Sequence, residues 1–92
     1  MSSTSVRHDA EGQRFVRDTA GGPARLDYRR DGDVVAFTHT FVPPEERGEN
    51  VGTALVEGGL GWAREEGLKV VAQCPFVAAY VEEHAEAQDL LA

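Results

Sequence analysis

The chain has 92 residues, enough for one domain with a single modest core and too few for a core plus a separate site-bearing domain. Its net charge of −7, with no basic stripe, argues against nucleic acid, and no apolar run approaches the roughly 18 residues that span a bilayer. The one cysteine, Cys74, excludes an intrachain disulfide and a cysteine-held zinc, and it makes a reducing cytoplasm the default compartment. No metal site is expected. Acidity is concentrated in the second half: residues 1–46 carry six arginines against eight acids, and residues 47–92 carry three basic residues against eight. Such a surface is compatible with a cationic partner, although acidity alone serves solubility equally well.

The opening "MSSTSVRHDAEG" lacks the apolar stretch of a signal peptide. Residues 1–10 are expected to form a flexible polar tail before a domain at 11–92. "QRFVRDT" (13–19) predicts a short edge strand, and "AGGP" (20–23) a turn. "ARLDYRRDGD" alternates, with Leu26 and Tyr28 on one face and Arg25, Asp27 and Arg29 on the other, which predicts a half-buried strand. Asp31-Gly32 is a hairpin signal into "VVAFTHTFV" (34–42), the strongest strand in the chain, ended by Pro43 and Pro44. From Asn50 to about Glu66 the period becomes helical, with Val51, Leu55, Trp62 and Ala63 recurring and Gly67 as a stop. Gly58, Gly59 and Gly61 each weaken that helix by about 1 kcal/mol relative to alanine, and close packing against a sheet explains them best. "LKVVAQC" (68–74) predicts a strand parallel to 34–42, because a helix joins the two by a right-handed crossover. "PFVAAYVEEHAEAQDLLA" predicts a final helix with Pro75 at its first position. The element order is β-β-β-α-β-α, an α+β fold.

Three places can carry chemistry. A helix starting near Asn50 leaves the N–H groups of about Gly48 to Gly52 without intrahelical partners, aimed where the helix dipole favours an anion. Arg47 adds a charge-assisted contact there, although many helices begin after a glycine with no ligand. Cys74 falls between a strand end and a helix start, where a thiolate is stabilised; a lone cysteine in that position also serves as a small buried hydrophobe. Alternation along "FTHT" puts His39 on the face opposite Thr38 and Thr40, shared with Phe37 and Phe41, and such a histidine is commonly a solvent-side strand residue. His84 follows Tyr80 by one helical turn, so the two share a face.

Taken together, "FTHT" (37–40), "VPPEERGENVGTALV" and "CPFVAAY" (74–80) resemble the small, single-domain GNAT-type N-acetyltransferase family, over roughly residues 13 to 91. The resemblance implies a minimal GNAT-like fold, a mostly antiparallel sheet with one parallel pair flanked by helices. It implies acetyl-CoA as cosubstrate and an amine acceptor of unknown identity. The pyrophosphate would lie on Arg47, Gly48, Glu49, Asn50, Val51 and Gly52, and the pantetheine arm between the parallel strands where they splay. The thioester would come near Cys74, with Tyr80 or His39 assisting proton transfer, or with Cys74 taking the acetyl group first. The family turn reads Arg/Gln-x-x-Gly-x-Gly/Ala; here Arg47 and Gly52 match and Asn50 replaces the middle glycine. Asparagine tolerates left-handed geometry, but its side chain crowds a pyrophosphate. Ala85 stands where the family tends to place proline after the histidine, and the glycine-rich helix is a further departure. The rival expectation is a CoA-binding module without catalysis, acting as a sensor or partner subunit.

Overall fold

A computed structural model of the chain describes residues 6–46 and 50–92. In order come strands β1 (Arg7–Asp9), β2 (Arg14–Thr19), β3 (Gly22–Asp31) and β4 (Val34–Phe41), and a 3-10 turn at Pro44–Glu46. Helix α1 (Val51–Glu66), strand β5 (Lys69–Ala72), helix α2 (Pro75–Glu83) and a second 3-10 segment (Ala85–Leu90) follow. The strands form one sheet in the order β1-β2-β3-β4-β5, antiparallel throughout except for the parallel β4–β5 pair. This is the α+β architecture expected, with one extra strand at its front.

Both helices pack on one face of the sheet. Phe15, Leu26, Tyr28, Val35, Phe37 and Val70 from the strands join Val51, Leu55, Val56, Leu60, Ala63, Val77 and Val81 from the helices in a single buried cluster. The α1 stripe Val51, Leu55, Gly59 and Ala63 is buried at every fourth residue, as a helix lying on a sheet requires. Within the glycine run, close packing on the sheet explains Gly59. A Cβ there would lie 2.9 Å from Phe37 Cε1 and 3.1 Å from Leu26 Cδ2, so the helix backbone rests directly on those side chains. A Cβ on Gly61 would meet nothing within 4 Å. Gly67 ends α1 in the left-handed region at φ 71°, and the Leu68 N–H then donates to the Ala63 carbonyl, closing a Schellman cap.

Two expectations need correction. Residues 7–9, assigned to a loose tail from their polarity, form β1 against β2. Tertiary contacts hold this strand: the His8 ring stacks on Phe15 at 4.3 Å, meets Trp62 edge-on at 4.8 Å, and shares a hydrogen bond of 2.6 Å between Nε2 and the Tyr28 hydroxyl. The second correction concerns the last helix, expected over 75–92, which stops at Glu83. His84 turns extended, and its ring Nδ1 lies 2.8 Å from the Tyr80 carbonyl, taking the place of the next backbone N–H. Arg64 of α1 then clamps the 3-10 segment through the Glu86 carbonyl at 2.8 Å and the Asp89 carboxylate at 3.0 Å.

The β1 attachment should respond to pH. Burial lowers the His8 pKa below its ordinary 6.5, against the carboxylates of Asp9 and Glu66, which pull it up; the Arg30 guanidinium lies over Trp62 nearby. A depressed histidine pKa favours the fold above the unfolded value and loses that contribution as pH falls through the folded value. Stability should therefore decline below about pH 6.5. In His8→Phe that part of the decline should vanish, leaving only the carboxylate transition at lower pH. Unfolding midpoints measured from pH 7.5 to 5 test this, and parallel curves for the two proteins would refute it.

Candidate active site

The site grows from a break in the alternation of β4. Tyr28 pairs with Phe37 and Asp27 with His39, so Thr38 is an extra residue, a β-bulge. Before it, Val35 and Phe37 point to the helices; after it, the parity flips. Thr40, opposite Leu26, now faces the helices, while His39 and Phe41 face the other side. The shared face expected for Phe37, His39 and Phe41 is thus split in two. On the side away from the helices, His39 is exposed opposite Asp27, Asp27 pairs with Arg25 at 3.2 Å, and the Arg25 guanidinium lies over the Phe41 ring at 5.5 Å.

The bulge also parts the parallel strands. Their register ends at Phe37↔Ala72, and the Cys74 N–H makes a last bond of 2.9 Å to the Phe37 carbonyl before the chain turns into α2. From Thr38 onward β4 has no partner in β5 among the described residues. Cys74 is the N-cap of α2 and is buried, with Sγ 3.2 Å from Thr40 Oγ1.

Beside this gap lies a cavity of about 350 Å³. Thr40 and Val42 form one wall, residues 50–53 at the start of α1 another, and Phe76 of α2 and Glu46 complete it. Asn50 adopts the left-handed conformation, φ 62° and ψ 22°, which a glycine would take most easily. Its side chain makes no capping bond, and the first intrahelical bond is Ala54 N–H to the Asn50 carbonyl at 3.0 Å. Among the described residues, the N–H groups of Val51, Gly52 and Thr53 therefore have no intrahelical acceptor, and these residues line the cavity wall. A Cβ on Gly52 would come within 2.9 Å of Phe76 Cζ, so the exposed Phe76 ring rests against the first turn of α1. Glu46 brings a carboxylate to the rim, partly engaged by the Gly21 N–H at 3.3 Å. Of the residues expected at a phosphate, Asn50, Val51 and Gly52 line this cavity, while Arg47, Gly48 and Glu49 lie outside the described residues.

Tyr80 is not brought to this cavity. Its hydroxyl donates to Glu57 of α1 at 3.1 Å and its ring stacks on His84 at 3.9 Å. Desolvation, then the Glu57 carboxylate, raises the Tyr80 pKa above its ordinary value. Cys74 and His39 approach the same break in the sheet from opposite sides, Cys74 behind Thr40 and His39 on the outer face. Thr40 and Phe76 had no role in the expected site. Each stood inside a quoted motif, but only the bulge and the packing on Gly52 show that they face the cavity.

The chain is thus a small α+β domain whose single parallel pair ends at a bulge beside a helix N-terminus, and comparison with known proteins gives its family. Residues 14–90 match the family model described as GCN5-related N-acetyl-transferase, and the chain belongs to that family. It is also similar to a GCN5-like candidate N-acetyltransferase from Staphylococcus aureus, solved by NMR in solution. The two share 27% identity with a TM-score of 0.78, over 100% of this chain and 91% of the other. No curated protein matches the chain. No described helix is long and apolar enough to cross a membrane.

Proposed function

We propose that the protein binds acetyl-CoA and transfers its acetyl group to an amine. The observation that carries this reading is the continuity of one cavity from the uncapped start of α1 to Thr40, beside the place where β4 loses β5. The amides of Val51 to Thr53 suit a pyrophosphate, by hydrogen bonding and by the helix dipole. The β4 backbone beyond Phe37, which no β5 residue pairs with, suits the amides of a pantetheine arm, which pair as a short strand would. In the transfer, the amine nitrogen bonds to the thioester carbonyl carbon and the carbon–sulfur bond breaks. The electron pair leaves with the CoA sulfur, and nitrogen gives up one proton.

In this reading His39, exposed on the outer face at the level of the gap, takes that proton from an acceptor arriving on that side; its exposure there supports the role. Direct attack is favoured over an acetyl-cysteine because Cys74 is buried and Thr40 stands between it and the cavity. The acidic surface favours a cationic acceptor. The rival reading, a CoA-binding module without catalysis, draws on Tyr80, whose hydroxyl is held by Glu57.

Titration calorimetry with acetyl-CoA, followed by turnover assays across small amines, polyamines and peptides, tests the proposal. Binding with turnover is expected. His39→Gln should then lower turnover about 100-fold and leave acetyl-CoA affinity nearly unchanged. Binding with no turnover on any acceptor would favour the module, and absence of binding would refute both.

A further inference from the structure

We infer that Thr40 is a catalytic residue of this site, its hydroxyl donating a hydrogen bond to the acetyl carbonyl oxygen of the bound thioester; the inference rests on the acetyl-CoA reading above. Thr40 is the member of the Thr40–Cys74 pair that reaches the cavity: it lines the wall, while Cys74 lies behind it in the core. The bulge at Thr38 makes this possible, since without the extra residue the Thr40 side chain would point to the outer face.

The pair also orients the hydroxyl. Threonine Oγ1 carries one proton and two lone pairs. Either atom of the 3.2 Å contact can donate; in the arrangement inferred here Sγ donates to Oγ1, and the threonine proton turns away from sulfur toward the cavity. A β-branched side chain on a paired strand adds little rotational freedom to lose. Cys74 is then a positioning residue acting through Thr40.

As the amine nitrogen bonds to the carbonyl carbon, negative charge develops on the carbonyl oxygen, and a donor already aimed there stabilises it. The carbon–sulfur bond then breaks and the charge returns from oxygen to the CoA sulfur, so Thr40 neither gains nor loses a proton. Its contribution lies in the charge that forms at oxygen. A ground-state bond to the same oxygen also follows, and free CoA, which lacks the acetyl group, cannot make it.

That difference supplies a test needing no acceptor. Calorimetric Kd values for acetyl-CoA and for CoA should differ in the unaltered protein, acetyl-CoA binding about 3- to 10-fold more tightly. Thr40→Val keeps the branched shape and removes the hydroxyl, so both ligands should bind with one common affinity close to that of CoA. Thr40→Ser should restore the preference, and Cys74→Ser, which keeps a donor to Oγ1, should retain it. With any acceptor found to turn over, Thr40→Val should lower kcat about 10- to 100-fold with little change in KM. Equal affinity for the two ligands in the unaltered protein, or an undiminished preference in Thr40→Val, would overturn the inference while leaving the acetyl-CoA reading in place. Failure of both ligands to bind would overturn both, and a trapped acetyl group on Cys74 would replace Thr40 with the cysteine as the reacting residue.

Discussion

Gly59→Val should destabilise the fold by about 3 kcal/mol, read as a lower denaturant midpoint at nearly constant slope. The added atoms start 2.9 Å from Phe37 and 3.1 Å from Leu26, both fully buried and each packed under the helix. Neither ring nor branch has free space to enter, so α1 must lift from the sheet along its length. Lifting α1 also loosens Leu55 and Ala63, which lie on the same stripe. Gly61→Ala, two positions away and facing open space, should instead raise stability by about 0.5–1 kcal/mol through helix propensity alone. Equal effects at the two positions would show that the glycines serve backbone flexibility and not contact with the sheet.

The second large effect is expected at Asn50, and it concerns ligand affinity. Asn50→Val places a β-branched residue at φ 62°, a conformation such side chains rarely adopt. Escape from that strain rotates the peptide that leads into α1, and the amides of Val51 to Thr53 turn with it. Acetyl-CoA affinity should fall at least about 10-fold, corresponding to about 1.4 kcal/mol. Asn50→Gly keeps the left-handed turn and removes a side chain from the cavity wall, so affinity should rise a few-fold. Calorimetry on the three proteins decides it. If Gly and Val behave alike, the turn at residue 50 does not shape the phosphate end of the site.

Much of this fold was legible because its signals are local. Gly32 supplies φ 63° to the β3–β4 hairpin, Gly67 ends α1 in a left-handed cap, and Pro75 opens α2, each as its residue type suggests. Features that depend on contact across the sheet were not legible. β1 is polar in sequence and persists through the ring contacts of His8 with Phe15 and Trp62. The end of α2 depends on the His84 ring meeting the Tyr80 carbonyl and on Arg64 reaching over from α1.

The candidate site was legible in place more than in orientation. Asn50, Val51 and Gly52, expected at a pyrophosphate, line the cavity beside the start of α1. Side-chain direction along "FTHT" depends on a one-residue bulge, and no composition marks a bulge at a threonine between a phenylalanine and a histidine. The same limit hid Thr40, while the partner of Tyr80, Glu57, is supplied by the packing of α2 against α1.

The rims of the sheet have a consequence for association. At one margin, β1 is three residues long and carries Arg7, His8 and Asp9, a poor template for another chain. At the other, Leu91 bridges to Val70, and the Ala92 N–H donates to the Val70 carbonyl at 2.9 Å, occupying part of the outer rim of β5. The interior of the sheet, along β4 past Phe37, keeps a stretch that no β5 residue occupies. Fibril-like stacking is thus discouraged at the periphery, and the strand backbone left open on one side lies inside the sheet, next to the cavity at the start of α1.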